Sequence, residues 1–297
     1  MTTRACGLKL CFVLSLRKVG QWRIAVGAIA FACLTSACSS KLVIASFVCN
    51  EPQAAGAQAS ASIGADAGDV GDAGVSFASP WSTGFETGFC DYLAGGGFCY
   101  ISGQGAARYQ IVTSPVHAGK YAAQFTVVAN KTDTNSRCVR EGVLPEEAYY
   151  GAWYYIPHVA TVPTSPDPSK NGLWNLFHFQ VGEPGAEFNG IWDISLINDD
   201  HGGMGLVLYQ FKGPAHHLDS IPIGAWFHLE LFLKLASDNT GEVELFLNEA
   251  SIYQQAGFVT SPYSSRFGQW YVGNLADTIT PTESTLYVDD VSVGPTR

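Results

Sequence analysis

Within the run Leu173-Trp174-Asn175-Leu176-Phe177-His178-Phe179-Gln180, an indole, an imidazole and a carboxamide recur at even spacing. If the run is extended, Trp174, Leu176, His178 and Gln180 share one face, because successive side chains of a strand alternate sides. An aromatic platform beside a proton-transfer group and an amide is a surface on which a sugar chain could be held. A histidine on a strand face is more often a hydrogen-bonded structural residue than a catalyst, and that alternative stays open. Upstream, Arg137-Cys138-Val139-Arg140-Glu141 places two guanidinium groups near one carboxylate. They could neutralise an acidic ligand or form an ion pair that orders a strand end. Hydrolysis of a glycoside would need two carboxylates flanking the scissile bond. Glu242 with Glu244, and His228 with Glu230, share strand faces, but each pair also fits a solvent-facing sheet. A serine-nucleophile elbow is absent, and Gly95-Gly96-Gly97 lacks the strand-to-helix setting of a phosphate-binding loop. His216 and His217 would point to opposite faces of a strand and are expected in a loop.

The elements that must position these groups begin well inside the chain. Residues 1–38 read as a leader: Arg4, Lys9, Arg17, Lys18 and Arg23 precede any acidic residue, and Ile24 to Leu34 is apolar but shorter than the roughly 20 residues of a membrane span. The run closes on Leu34-Thr35-Ser36-Ala37-Cys38, which resembles a bacterial lipobox with its leucine one place early. Cys38 is therefore the candidate lipidation site, with plain signal-peptidase cleavage as the alternative. Either route gives an exported protein, secreted or held in the cell envelope, whose contact with a membrane runs only through the N-terminal lipid. Residues 39–76 are dominated by Ala, Gly, Ser, Gln and Asp, especially after Asn50, and form a flexible linker. Without the leader the chain carries 11 basic and 26 acidic residues, a net charge of −15. Nucleic acid and heavily sulfated glycans would be repelled at long range, whereas neutral or weakly charged glycans would not. Of the cysteines beyond Cys38, Cys90 and Cys99 flank the glycine turn and could staple it, or could be buried thiols.

From residue 77 to 297 aromatic and β-branched residues persist, and the apolar period is two, as in Tyr121 to Val128 and Gly241 to Asn248. Further strands are expected at Tyr149–Ile156, Leu173–Gln180, Ile191–Ile197, Met204–Phe211, Trp226–Leu235, Gln269–Val272 and Thr285–Val293. Short strands separated by Gly, Pro, Asn and Asp over a domain of this size predict an all-β jelly roll of two stacked antiparallel sheets, one of them floored by the residues above.

Trp81-Ser82-Thr83-Gly84-Phe85-Glu86-Thr87-Gly88, Pro115 to Ala122 and Tyr287-Val288-Asp289-Asp290-Val291 resemble the ends of concanavalin A-like carbohydrate domains. Arg137 to Glu141, Tyr149 to Pro157, Asn171 to Phe177 and Ile223 to Glu230 resemble the polysaccharide lyases related to heparin lyase I. The resemblance implies β-elimination on a uronic-acid-containing polysaccharide, with no metal or redox cofactor required for catalysis. It implies His178 as base, Gln180 and Arg140 as partners of the substrate carboxylate, and Trp174, Arg137 and Trp270 as substrate-binding residues. The acid is carried less directly. Related lyases have a Tyr-rich, Lys-containing strand near the C-terminus, where this chain has Gln269-Trp270-Tyr271-Val272; Tyr271 stands in, with Tyr209 as the other possibility. That departure keeps a second reading open, a non-catalytic carbohydrate-binding module on a cell-surface lipoprotein. Glu86 and Asp289 would meet if the domain ends pair, giving a structural calcium site as in related domains.

Overall fold

The computed structural model describes residues 43–44, 79–94, 97–103, 105–129, 133–165, 171–182, 187–210 and 213–297. The leader, Cys38 and all of the expected linker except Val43–Ile44 lie outside the described residues. Those two residues form β1 and pair with the edge of a sheet. That first sheet runs in the order β1, β3 (Gly97–Gly103), β6 (Thr134–Val143), β15 (Phe267–Asp277), β8 (Leu173–Val181), β9 (Asn189–Asn198), β10 (Met204–Gln210) and β11 (Ala215–Ile221). The second runs β14 (Ala250–Phe258), β13 (Gly241–Leu247), β12 (Trp226–Lys234), β7 (Glu147–Tyr155), β16 (Glu283–Gly294), β5 (Ala122–Val128) and β4 (Ala106–Val112), with β2 (Trp81–Thr83) also on β16. One short helix, α1 (Cys90–Ala94), precedes β3. Every strand pairing is antiparallel, and the expected all-β jelly roll forms.

The core lies between the sheets and is built by alternation. Tyr150, Ala152, Tyr154, Leu229, Leu231, Leu286 and Val288 point in from the second sheet and meet Phe177, Phe179, Trp192, Trp270 and Val272 of the first, all essentially without solvent exposure. Aromatic edges interlock across the layers, with Tyr150 at 4.9 Å from Phe179 and 5.1 Å from Trp270 between ring centroids.

One irregularity decides which residues reach the outer face of the first sheet. The pairing of β8 slips against β9 between Asn175 and Phe177, and against β15 between Val272 and Leu275. Leu176 and Phe177, consecutive in sequence, are both fully buried. The bulge inverts the alternation, so that Leu173 and Asn175 join His178 and Gln180 on the outer face while Trp174 turns inward. Trp174 is 1% exposed and its Nε1 donates to Asn274 Oδ1 at 3.1 Å. It is a core residue, not the sugar platform that uninterrupted alternation predicts.

Two smaller expectations also change. Cys99 pairs with Cys138, which stands directly opposite it on β6, and not with Cys90, which takes part in a separate disulfide. His216 and His217 lie on β11, where they oppose Leu208 and Val207, so they are strand residues on opposite faces.

Candidate active site

The outer face of the first sheet holds a cleft of about 370 Å³ floored by β6, β15, β8 and β9. Its polar centre is a continuous relay. His178 opposes Asp193 across the β8–β9 ladder, and its Nδ1 is hydrogen-bonded to Asp193 Oδ1. An ionised carboxylate only accepts, so Nδ1–H donates and the Nε2 lone pair is left for the cleft. A side chain at Gly190 would place its Cβ 3.1 Å from His178 Cε1, so the glycine keeps room for the imidazole. Asp193 Oδ1 also accepts from Asn175 Nδ2 at 3.0 Å, and Asn175 Oδ1 accepts from the Arg137 guanidinium.

Arg137 itself is 3% exposed, and no carboxylate among the described residues lies within ion-pair distance of it. Its Nε has no hydrogen-bond partner among the described residues. Its neighbours are the Asn175 oxygen, the Tyr100 hydroxyl and the Tyr271 ring, whose centroid is 5.6 Å from the guanidinium carbon. A cation withdrawn from water in this way gains most from an anion that arrives with a ligand.

Tyr271 stands beside His178, with ring centroids 5.2 Å apart. Its hydroxyl lies 3.1 Å from Gln180 Oε1 and also contacts Gln269 Oε1, while Gln269 Nε2 donates to Glu141 Oε2. Burial pushes the phenol well above its ordinary value, the neighbouring Tyr100 and Glu141 add to this, and Arg137 opposes it. The hydroxyl therefore keeps its proton at neutral pH. Tyr209 is the more open phenol of the cleft, 37% exposed and paired in register with Asp193; burial first and then the Asp193 charge raise its pKa.

The structure thus gathers His178, Gln180, Tyr271 and Arg137, and excludes two further residues expected at the site. Arg140 is three positions from Arg137 and so has the opposite parity on β6. It is fully buried, with its guanidinium 4.1 Å from the Trp81 ring centroid, and burial lowers its pKa. Trp270, next to Tyr271, likewise points inward and is 1% exposed, so it packs in the core instead of binding substrate. Asn175 and Asp193 were not anticipated. Asn175 was hidden by the bulge, but Asp193 was readable, since in Ile191-Trp192-Asp193-Ile194-Ser195 the polar residues alternate with buried apolar ones.

Glu86 and Asp289 converge on one turn. Glu86 Oε1 accepts from the amides of Lys120 and Tyr121, and Asp289 Oδ2 from those of His117 and Ala118. Among the described residues no group of three or more His, Cys, Asp or Glu side chains is placed to hold a metal, so further ligands would have to be other oxygens, such as backbone carbonyls. Asp289 is nonetheless fully buried, and burial pushes its carboxyl up to about 6 against three amide donors. A hard cation there would relieve that cost.

A model of the polysaccharide lyase family matches residues 79–292. No curated protein matches the sequence significantly. Among solved structures, the endo-β-1,4-glucuronan lyase of the fungus Trichoderma reesei is similar at 20% identity over 65% of this chain and 88% of its own, with a TM-score of 0.51. The alginate lyase Aly36B is 16% identical over 74% of this chain and 99% of its own, with a TM-score of 0.44. The marine alginate lyase of Aplysia kurodai is 10% identical over 73% and 98%, with a TM-score of 0.46.

Proposed function

Because this chain belongs to the polysaccharide lyase family, we propose that it is an exported enzyme that cleaves a uronic-acid-containing polysaccharide by β-elimination in the cleft above His178. The observation that carries the uronate is Arg137, a buried cleft cation with no carboxylate partner among the described residues. A uronate carboxylate placed there receives the guanidinium fork and faces the Asn175 amide. Withdrawing electron density from the carboxylate acidifies the adjacent C5–H, since the charge released at C5 spreads onto the carboxylate oxygens.

His178 Nε2 takes the C5 proton, with Asp193 holding the ring and stabilising the imidazolium. The C5–H electron pair becomes the C4–C5 double bond, the C4–O bond breaks, and Tyr271 delivers its proton to the departing oxygen. Gln180, on the Tyr271 hydroxyl, orients that donor. The finer kinship with lyases related to heparin lyase I belongs to this reading too; it is supported by the placement of the resembling segments on β6, β7, β8 and β12. Export, with Cys38 as the lipid attachment point, rests on the basic and then apolar leader and on the small residues before Cys38.

Incubation with glucuronan, alginate, pectate and heparin, followed by ultraviolet absorbance of the unsaturated product, tests this reading. Product from at least one uronate polymer is expected. Retention of those polymers without any product would assign the cleft to binding alone.

Calcium, in this reading, is structural and held by Glu86, Asp289 and backbone oxygens, remote from the reacting atoms. A carboxyl whose folded pKa of about 6 exceeds an unfolded value of about 3.9 costs stability as pH rises through that window. Bound calcium would cancel the cost, so its effect on Tm should be small near pH 4 and full above pH 6. Equal melting curves with calcium and with EDTA at pH 7 would remove the ion.

A further inference from the structure

The second sheet presents to solvent a face unlike an ordinary polar sheet exterior. Trp226 on β12, Tyr155 on β7, Tyr287 on β16, Gln124 on β5 and Gln110 on β4 stand in one lateral row, each opposite the next in register. All five are half-buried, and all lie on the parity of their strands that points away from the core. The rings are neighbours at 5.6 Å (Trp226 to Tyr155) and 5.8 Å (Tyr155 to Tyr287), and the row continues as amides: Gln124 Nε2 donates to the Tyr287 hydroxyl at 3.1 Å, and Gln110 Nε2 to Gln124 Oε1.

We propose that this row is a second glycan-binding site, separate from the cleft and on the opposite sheet, and that it takes a single neutral glycan chain. Three features select that occupant. First, the ring faces offer apolar area of the size of a pyranose, and the amides at the end of the row offer both donors and acceptors for hydroxyl groups. Second, the row itself holds no charge, and its flank is balanced: Thr126 and Thr285 share a hydrogen bond of 2.8 Å, and Arg108 lies 3.5 Å from Glu283. Among the described residues of the row and this flank no uncompensated cation stands ready for a uronate, in contrast to Arg137 in the cleft. Third, the rings are inclined to one another, by 56° and then 77°, so they grip one chain from successive sides and cannot lie flat on a crystalline surface. The turn that carries His117 forms a wall on one side, with its imidazole stacked on Trp153 at 3.7 Å and edge-on to Trp226 at 5.8 Å. A protein that holds neutral glycan on one sheet and cuts uronate on the other would work on walls or gums in which both polymers occur together.

Native affinity electrophoresis of the full-length chain in gels containing hydroxyethylcellulose or mixed-linkage β-glucan tests the site. Wild type and His178→Ala should be retarded equally. Trp226→Ala and Tyr287→Ala should bind at least about tenfold more weakly, as expected for truncating a central aromatic contact, while Tyr287→Phe keeps most of the retention and lyase turnover on short uronate oligosaccharides is unchanged in all three. Should the alanine variants fail to fold, Gln124→Ala and Gln110→Ala, which alter no core side chain, decide the matter through the same loss of retention. No retardation of wild type in either gel, full retention by the row variants, or displacement by uronate oligosaccharide would overturn the proposal. Loss of the His178→Ala turnover effect would instead sink the cleft mechanism and leave this site standing.

Discussion

Replacing His178 with alanine should lower turnover on the uronate substrate by about 10²–10⁴-fold, the contribution of a positioned general base, with little change in Tm. The ring touches the cleft and not the core: its contacts are Asp193, the edge of Tyr271 and the space above Gly190. Asp193→Asn is the informative companion. An amide can offer its N–H to Nδ1 as readily as its oxygen, which moves the imidazole proton to Nε2 and removes the base while leaving the geometry in place. Turnover should fall without loss of substrate binding. Full turnover in His178→Ala would take the imidazole out of the reaction.

The second large effect is expected at Arg137. Removing a preorganised cation from developing charge costs about 10²–10³ in rate, and here the loss should divide between KM and kcat. The substrate carboxylate is already charged when it binds, so part of the interaction is lost from the ground state, and the charge released from C5 makes the remainder specific to the transition state. Arg137→Lys should recover only a part, because an ammonium cannot reproduce the planar fork that reaches the carboxylate and Asn175 together. The fold should survive Arg137→Ala, since no carboxylate is left buried without its partner. Normal kcat and KM in Arg137→Ala, measured from product absorbance, would remove the uronate carboxylate from this position.

How far the sequence reached follows from what local pattern can encode. Alternation identified the strands that carry most of the core, because in a two-sheet domain every second side chain must be buried, and that demand is written directly into Tyr149–Ile156 and Trp226–Leu235. It missed the short β2 and, among the longer strands, β3, β4, β6, β11 and β14, whose patterns are weak: β6 carries polar residues on both faces, β14 is exposed along most of its length, and β11 mixes histidine with small and acidic residues. At the site, His178, Gln180, Tyr271 and Arg137 were placed by parity and resemblance. Trp174 failed because a single bulge at Leu176–Phe177 reverses parity, and nothing in the local residues announces it. Arg140 and Trp270 failed for the opposite reason. Strict alternation already separates Arg137 from Arg140 and Tyr271 from Trp270, so the information was present in their spacing. Asn175, which joins Arg137 to Asp193, became visible only once the two slips in pairing were known.

The roles of His178, Tyr271 and Arg137 all depend on the manner in which the glycosidic bond breaks. Digestion of the preferred uronate polymer in ¹⁸O-labelled water, with mass analysis of the products, reads this directly. Elimination yields a C4–C5 unsaturated uronate at the new non-reducing end without adding water across the cleaved bond, whatever label the new reducing end later gains by hemiacetal exchange. A saturated product carrying the label would mean that water had attacked, and the roles given to His178, Tyr271 and Arg137 would be contradicted.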